Sequence, residues 1–361
     1  MALLNHADFL AASRDTRVVD KGTLLNEATK NNYFFFSRMM KSSEKKFRGG
    51  NKLVDRIQGD TAGSFSFYSP NDEFSPTQAD TLKSIEVNWA FAQSHYVLIK
   101  ETAALNQGDS NAYLDYIKSL EQGCVVDTIN GLEDALWATP VTATMESTAA
   151  DPVIPYSLLC FNTQDGLAPS STNGGATTSD WTTLQQLNPS TESWYRNKFK
   201  SYAVTTPDDP DSGLIAAMDD IVLQTRFDLP DAMNKYTESE DLQKMCITTS
   251  RDGIVFYKAR LRALNDRMEQ LRDPAITGPQ FQGVPIIWVA ALDDAGWTDN
   301  QPDYLFWNFN FICPFFHTDM YMDEKIVDGG AKQPNSTVVY KFSWYNLICR
   351  SRRRQGRVFG A

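Results

Sequence analysis

The sequence NAYLDYIKSLEQGCVVDTINGLEDALW, residues 111–137, carries the clearest helical pattern in the chain. Its apolar residues recur at spacings of three and four, the period of one face of an α-helix. Ser110 is a suitable N-cap, and Pro140 follows the last apolar position. The pattern predicts one helix over 111–137, about 40 Å long at about 1.5 Å per residue. The apolar positions are Leu114, Ile117, Leu120, Cys124, Val125, Ile129, Leu132 and Leu136.

A second long element is predicted at residues 337–349. Apolar residues alternate with others there, which indicates a strand about 43 Å long at about 3.3 Å per residue. Its length matches that of the helix, and each element has an apolar face to bury. We therefore expect the helix to lie across this strand, so that distant parts of the sequence form one domain. The residues predicted to share the apolar face of the strand are Val338, Tyr340, Phe342, Trp344 and Ile348.

Residues 47–81 predict an extended β-hairpin. Residues 52–58 alternate in part, 59–63 have turn composition, and 64–68 alternate polar and aromatic side chains. A hairpin of this length is marginally stable alone, so we expect it to lie on another surface. The aromatic residues predicted to make that contact are Phe65, Phe67 and Tyr68.

The rest of the chain predicts a mixture of helices and strands. Residues 84–99 alternate as a strand, and 213–228 have a helical pattern. Further β-rich runs occur at 245–249 with 254–257, and at 304–316. The residues of 84–99 predicted to share one face are Ile85, Val87, Trp89 and Phe91.

The order of these elements, together with four stretches, resembles a known capsid fold. The stretches are Gly49-Gly50 opening the hairpin, residues 80–99 leading to the helix, FQGVPI at 281–286, and LICRSRRR at 347–354. They are similar to the Hong Kong 97-type fold of tailed-bacteriophage major capsid proteins. This resemblance implies an α+β fold with five parts: an N-terminal arm (1–46), an extended hairpin loop (47–81), a peripheral domain (82–146) with a spine helix (111–137), an axial domain (147–325), and a C-terminal return to the peripheral domain (326–361).

The same resemblance implies a structural function. Copies of the chain would assemble as hexamers and pentamers into an icosahedral shell around double-stranded DNA, in a virion, after synthesis in the cytoplasm of a bacterial host. The implied partners are further copies, a portal protein, a separate scaffolding protein and a decoration protein, with only weak DNA contact. Two alternatives stay open: an encapsulin-like compartment protein, and a soluble enzyme of unfamiliar mixed fold.

The composition agrees with a folded chain that has little general affinity for nucleic acid. Of 361 residues, 42% are hydrophobic and 22% charged, and the net charge of −11 opposes broad phosphate binding. No run of 18 apolar residues and no secretory signal occurs, so we expect cytosolic synthesis and no membrane partner. Five scattered cysteines predict buried free thiols in a reducing compartment: Cys124, Cys160, Cys246, Cys313 and Cys349.

No catalytic, cofactor-binding or metal site is predicted. We expect His95 to be a hydrogen-bonded structural residue, and residues 317–324 to form an acidic turn without metal-ligand spacing. The G-x-S-x-G, P-loop and G-x-G-x-x-G motifs do not occur. Some capsids of this fold form Lys–Asn cross-links, but a solvated side chain is the preferred interpretation of Lys52.

The basic segment RSRRRQGR at 350–357 stands out in this acidic chain. Its arginines suit either DNA phosphates or the carboxylates of a neighbouring subunit. The net charge favours subunit pairing, with an acidic surface such as Asp208, Asp209 and Asp211. The predicted contact residues of this segment are Arg350, Arg352, Arg353 and Arg354.

Overall fold

The computed structural model describes the greater part of the chain. The described residues are 46–59, 67, 69, 81–99, 110–141, 145, 153–173, 181–225, 244–264, 279–293, 302–328 and 335–361. They form α-helices and three β-sheets. The predicted arm, residues 1–46, lies outside this set except for Lys46.

A four-stranded sheet and one long helix form the first part of the fold. The sheet has the order β1–β10–β11–β4, with β1 Lys46–Arg48, β4 Ala90–Ile99, β10 Ile312–Asp328 and β11 Ser336–Cys349. Strand β11 is antiparallel to β10 and β4, and β1 is parallel to β10. Helix α1 spans Ser110–Trp137. The predicted long helix and the predicted long C-terminal strand are therefore confirmed.

Helix α1 packs mainly on β4. The Thr128 hydroxyl hydrogen-bonds the Ser94 hydroxyl at 2.8 Å, and Lys341 Nζ donates to Glu121 Oε1 at 3.0 Å. Because Lys341 of β11 lies opposite Ser94 of β4, both point toward the helix. Tyr340 and Phe342 therefore point away from it. The helix does reach β11, but the predicted apolar face of β11 is not the face that the helix covers.

The hairpin root is built differently from the prediction. Strand β2, Lys52–Gln58, pairs antiparallel with β3, Leu82–Asn88, so the return strand follows residue 81. The predicted strand 84–99 is interrupted at the buried Trp89, where the chain stops pairing with β2 and starts pairing with β11. This change of partner turns Phe91 outward, 57% exposed, instead of sharing the buried face with Ile85.

A six-stranded sheet forms the second part of the fold. Its order is β5–β12–β9–β6–β8–β7, with β5 Lys198–Tyr202, β6 Met245–Thr249, β7 Gln280–Phe281, β8 Val284–Trp288, β9 Tyr304–Asn308 and β12 Gly356–Gly360. Helix α2, Leu214–Thr225, packs on β5 and β12. Helix α3, Arg251–Leu264, contacts β6 and β8.

Helix α3 corrects one strand prediction. Residues 254–257 are helical, because Ser250 starts the helix directly after β6. The Ser250 hydroxyl accepts from Gly253 N at 3.2 Å, and Ser250 O accepts from Ile254 N at 3.2 Å. The predicted strand 304–316 is likewise two strands, separated by a turn that contains Phe309.

The two larger sheets cross two of the predicted domain boundaries. Strand β10 carries residues 312–325, predicted as axial, into the four-stranded sheet, together with residues 326–328 of the predicted C-terminal return. Strand β12 carries residues 356–360, predicted as peripheral, into the six-stranded sheet. The start of β10 and the end of β11 are paired with each other, and the start of β10 follows β9 of the six-stranded sheet. The end of β11 therefore lies near that sheet, and residues 350–355 connect it to β12, which pairs with β9.

A glycine inside α1 offers a first test of this fold. Gly131 is exposed, and a Cβ added there meets no atom within 4 Å. Gly131→Ala should therefore raise the free energy of unfolding by about 0.5–1 kcal/mol, because alanine loses less backbone entropy in a helix. Urea denaturation measures this change. A destabilised variant would mean that this part of α1 is packed against something else.

Candidate functional site

The hairpin root is part of the core. Its side chains Leu53, Ile85 and Val87 are buried, and they join the same apolar cluster as Leu132 of α1 and Trp307 of β9. The indole of Trp89 donates to Gly50 O at 2.8 Å and holds the start of the hairpin to its end. The direction in which the hairpin leaves the molecule is thus fixed by its own chain.

A shared carboxylate strengthens this root. Asp55 Oδ2 accepts from Arg350 Nε at 2.7 Å, and Asp55 Oδ1 lies 3.6 Å from Arg48 Nη2. The Asp55 side chain is only 14% exposed, so solvent screens the pair less than it screens a surface ion pair. Arg350, predicted as a contact to a neighbouring subunit, therefore joins the end of β11 to strand β2 of its own chain.

The far end of β2 rests on an indole ring. A Cβ added to Gly59 would lie 2.2 Å from Trp194 Cζ2, so no side chain fits there. Trp194 is held in turn, because its Nε1 donates to Glu192 Oε2 at 2.7 Å. Lys83 of β3 lies 3.9 Å from the same carboxylate.

We expect Gly59→Ala to lower the free energy of unfolding by about 1–3 kcal/mol, since the new methyl group forces Trp194 or the hairpin to move. Gly49→Ala is the matched control, because a Cβ at Gly49 meets nothing within 4 Å. Urea denaturation of both variants gives the comparison. Equal stability of the two would contradict the close packing of Gly59 on Trp194.

The sequence between β2 and β3 contains the predicted contact residues. Phe67 is 93% exposed. Phe65 and Tyr68 lie outside the described residues. An exposed phenylalanine on an element whose root is fixed is a suitable contact for another molecule, and the role predicted for these three aromatics stays a prediction.

Arg352 is buried inside its own chain. Its side chain is 0% exposed, and the guanidinium lies 5.6 Å from the centre of the Tyr195 ring. Burial lowers the pKa of Arg352 below its usual value. Its acceptors are neutral: Phe161 O at 3.2 Å, Tyr195 O at 3.4 Å, Thr163 Oγ1 at 3.4 Å, Leu167 O at 2.9 Å and Asn197 Oδ1 at 2.9 Å. These bonds offset the cost of burying the charge and fold the loop 161–173 around it.

The other arginines of the segment lie in different environments. Arg354 is 9% exposed and lies over the Phe311 ring, 5.6 Å from its centre. Arg357 is buried and forms an ion pair with Asp303, with Nε donating to Oδ2 at 2.8 Å. Arg353 is exposed. The segment therefore does not present one basic surface, and among its predicted contacts Arg353 is the side chain best placed to reach a neighbour.

The acidic side chains suggested as partners are also engaged locally. Asp208 accepts from Arg260 Nη1 at 2.8 Å. Asp209 accepts from Asp211 N and from the Ser212 hydroxyl, and these hydrogen bonds lower the pKa of the Asp209 carboxyl. Sequence reasoning missed the buried arginines because arginine is seldom fully buried. The signal that could have indicated burial is the short strand pattern at 356–360, since these residues form β12 inside the six-stranded sheet and hold the arginines before it against the core.

An aromatic face lies on the four-stranded sheet, opposite α1. We use this name for Phe91, His95, Tyr340, Phe342 and Trp344. The rings of Phe91 and Trp344 are 4.8 Å apart, and those of Tyr340 and Phe342 stack at 5.8 Å. His95 lies 5.5 Å from Tyr340 and takes part in this packing. Phe91 is 57% exposed, so the face retains apolar area at the surface.

The remaining chemistry-bearing residues have structural surroundings. The His317 ring lies 5.3 Å from Trp89 and 5.0 Å from Trp344. All five cysteines are free and buried, and burial raises the pKa of Cys349 to about 12. Among the described residues, no group of three His, Cys, Asp or Glu side chains is placed to hold a metal ion. None of the helices described above combines the length and apolarity that a membrane crossing requires.

Comparison with solved structures settles the fold. A capsid subunit of cyanophage A-1(L) superposes with a TM-score of 0.61 at 10% identity, over 94% of this chain and 96% of that one. The chain has the capsid-protein fold. The capsid protein of a native GTA particle gives a TM-score of 0.53 at 11% identity, over 99% and 100% of the two chains. The fold predicted from the sequence is thus confirmed.

An encapsulin is also similar. The holo-SrpI encapsulin complex from Synechococcus elongatus gives a TM-score of 0.50 at 9% identity, over 99% of this chain and 95% of that chain. No protein-family model matches the sequence, and no curated protein matches it. The likeness therefore concerns the capsid-protein fold, over nearly the whole of both chains.

Proposed function

We propose that this chain is the major capsid subunit of a tailed bacteriophage. Copies assemble as hexamers and pentamers into an icosahedral shell around double-stranded DNA, and the mature protein is located in the virion. The observation that carries this proposal is the superposition on phage and GTA capsid proteins over 94% or more of each chain.

The surfaces of the subunit support assembly. Phe67 on the hairpin and Phe91 on the aromatic face are 93% and 57% exposed. Exposed aromatic area of this kind is typical of a surface that another protein covers. We place the hairpin tip on an adjacent subunit, with Phe65, Phe67 and Tyr68 as its contacts, and Arg353 as a second contact.

We assign the parts of the fold to capsid domains by their sheets. The four-stranded sheet with α1 is the peripheral domain, including residues 312–328. The six-stranded sheet with α2 and α3 is the axial domain, including residues 356–360. The assignment is supported by the separate hydrogen-bonding of the two sheets. We further propose a portal protein, a scaffolding protein and a decoration protein as partners, and synthesis in the host cytoplasm.

A structural role rather than an enzymatic one is part of the proposal. Of the two histidines that the structure describes, His317 is packed between the Trp89 and Trp344 rings. His95 is exposed and lies against the Tyr340 ring. The buried thiol of Cys349 has a raised pKa and is therefore a poor nucleophile.

An encapsulin-like compartment is the second candidate, favoured by the superposition on the encapsulin complex. Expression of the chain with its neighbouring genes separates the two. Sedimentation velocity should show closed particles many times heavier than the subunit. Particles that take up DNA with a terminase and portal support the capsid, and particles that enclose a co-expressed enzyme support the compartment. A monomer under all conditions would overturn both.

A further inference from the structure

Four cationic side chains lie together where the two larger sheets meet. This junction cluster consists of Lys46, Arg48, Lys244 and Arg350. The register of β1 places Lys46 opposite Phe315 and Arg48 opposite His317 on β10. Phe309 N donates to Lys244 O at 3.1 Å, and Arg350 N donates to Phe311 O at 2.8 Å. All four are thus attached to one short stretch, residues 309–317.

The junction cluster is a local concentration of positive charge. Asp55 lies against Arg350 and Arg48 and offsets part of this charge. Burial raises the pKa of the Cys313 thiol within this region, and Lys46, Arg350 and Lys244 each act to lower it. Lys46, Arg350 and Lys244 therefore all lie close enough to Cys313 to act on the same thiol. The cluster is half-buried, and the side chains of Arg48 and Arg350 are 36% and 22% exposed. A chain with a net charge of −11 therefore carries partly accessible positive charge at one defined place.

The opposite charge is concentrated on the axial part of the fold. We define the acidic segment as residues 207–220, which contain Asp208, Asp209, Asp211, Asp219 and Asp220. Asp208 and Asp220 are 41% and 38% exposed, and each has a single cationic partner, Arg260 or Lys200. Carboxylates outnumber cations here, so the segment keeps a negative charge at the surface.

We propose that the junction cluster of one copy docks on the acidic segment of a neighbouring copy. The contact joins two different surfaces, and a repeated contact of this kind closes subunits into a ring when the rotation allows. It also opposes the repulsion between acidic copies and selects their orientation, since complementary charge steers association and fixes register. This inference rests on the proposed self-assembly and specifies one of its contacts.

A charge exchange tests the contact. Lys244→Glu and Asp211→Lys change exposed or half-exposed side chains. We expect each single variant to raise the protein concentration needed for particle formation at least tenfold. The double variant should return to within about threefold of the unchanged protein, because like charges no longer face each other. Light scattering against concentration, at low and high salt, gives the measurement, and circular dichroism confirms folding.

When the unchanged protein forms particles, each other outcome for the variants decides against the contact. A double variant no better than the worse single variant overturns it, and so does normal assembly of both single variants. Normal assembly of Lys244→Glu with weakened DNA binding indicates nucleic acid as the partner instead. If Lys244→Glu fails to fold, Lys244→Gln and Asp211→Asn replace the reversals, and an unchanged salt dependence overturns the contact. Failure of the unchanged protein to form particles counts against the proposed function, not this contact.

Discussion

Arg352→Ala should lower the free energy of unfolding by at least about 3 kcal/mol, or leave the chain insoluble. The substitution removes the Arg352 donors from five acceptors and opens a cavity among Phe161, Tyr195 and Asn197. Asn197 Oδ1 and Leu167 O keep a donor from Thr163, whereas Phe161 O and Tyr195 O lose their bond to the guanidinium. Each unsatisfied buried acceptor costs about 1–3 kcal/mol, and large-to-small core substitutions cost about 2–5 kcal/mol. The soluble fraction and urea denaturation measure the loss.

Arg353→Ala is the matched control. Arg353 is the next residue and is exposed, so its replacement should change stability by less than about 0.5 kcal/mol. Arg352→Lys should recover only part of the loss. The lysine side chain has one ammonium nitrogen, which cannot bond all five acceptors that the three nitrogens of the guanidinium reach. Equal stability of the Arg352 and Arg353 variants would contradict the buried position of Arg352.

Replacing Phe65 and Phe67 with serine should leave a folded subunit that assembles poorly. Phe67 is 93% exposed, so the isolated chain loses little packing energy. In an assembly each buried aromatic contributes about 1.5–3 kcal/mol, and every 1.4 kcal/mol changes an equilibrium constant about tenfold. We therefore expect the concentration required for assembly to rise at least tenfold, measured by light scattering.

Leu223→Ser provides the control for this variant. Leu223 lies on α2, is 74% exposed and is far along the chain from the hairpin. Its replacement removes a comparable apolar group without changing the hairpin. Assembly lost equally in both variants would show that the effect comes from surface hydrophobicity in general and not from the hairpin contact.

The fold was predictable from the sequence because its longest elements have strong periodicity. The period of α1 and the alternation of β11 are local properties, and both elements lie where they were expected. The exchange of strand partners at Trp89 is not local, since it depends on β2 and β11 meeting the chain from opposite ends of the sequence. The pattern around Ile254 was ambiguous as well, because a short apolar run fits either a strand or one face of a helix.

The surfaces were less predictable than the fold. The arginines at 350–357 look alike in the sequence, yet Arg352 is internal, Arg350 braces the hairpin, and Arg353 is exposed. Which of them meets solvent depends on the loop 161–173 and on Asp55, which are distant in sequence. Of the residues at 64–68, the structure describes Phe67, which is exposed, and the contact role expected of these aromatics stays a prediction.

Electron cryo-microscopy of the particles formed by this chain tests the central claim most directly. The account predicts closed shells with hexamers and pentamers, the six-stranded sheets near the capsomer centres, and the tip at Phe67 lying on a neighbouring subunit. A reconstruction in which the protein forms no closed shell, or in which every hairpin folds back onto its own subunit, would contradict it.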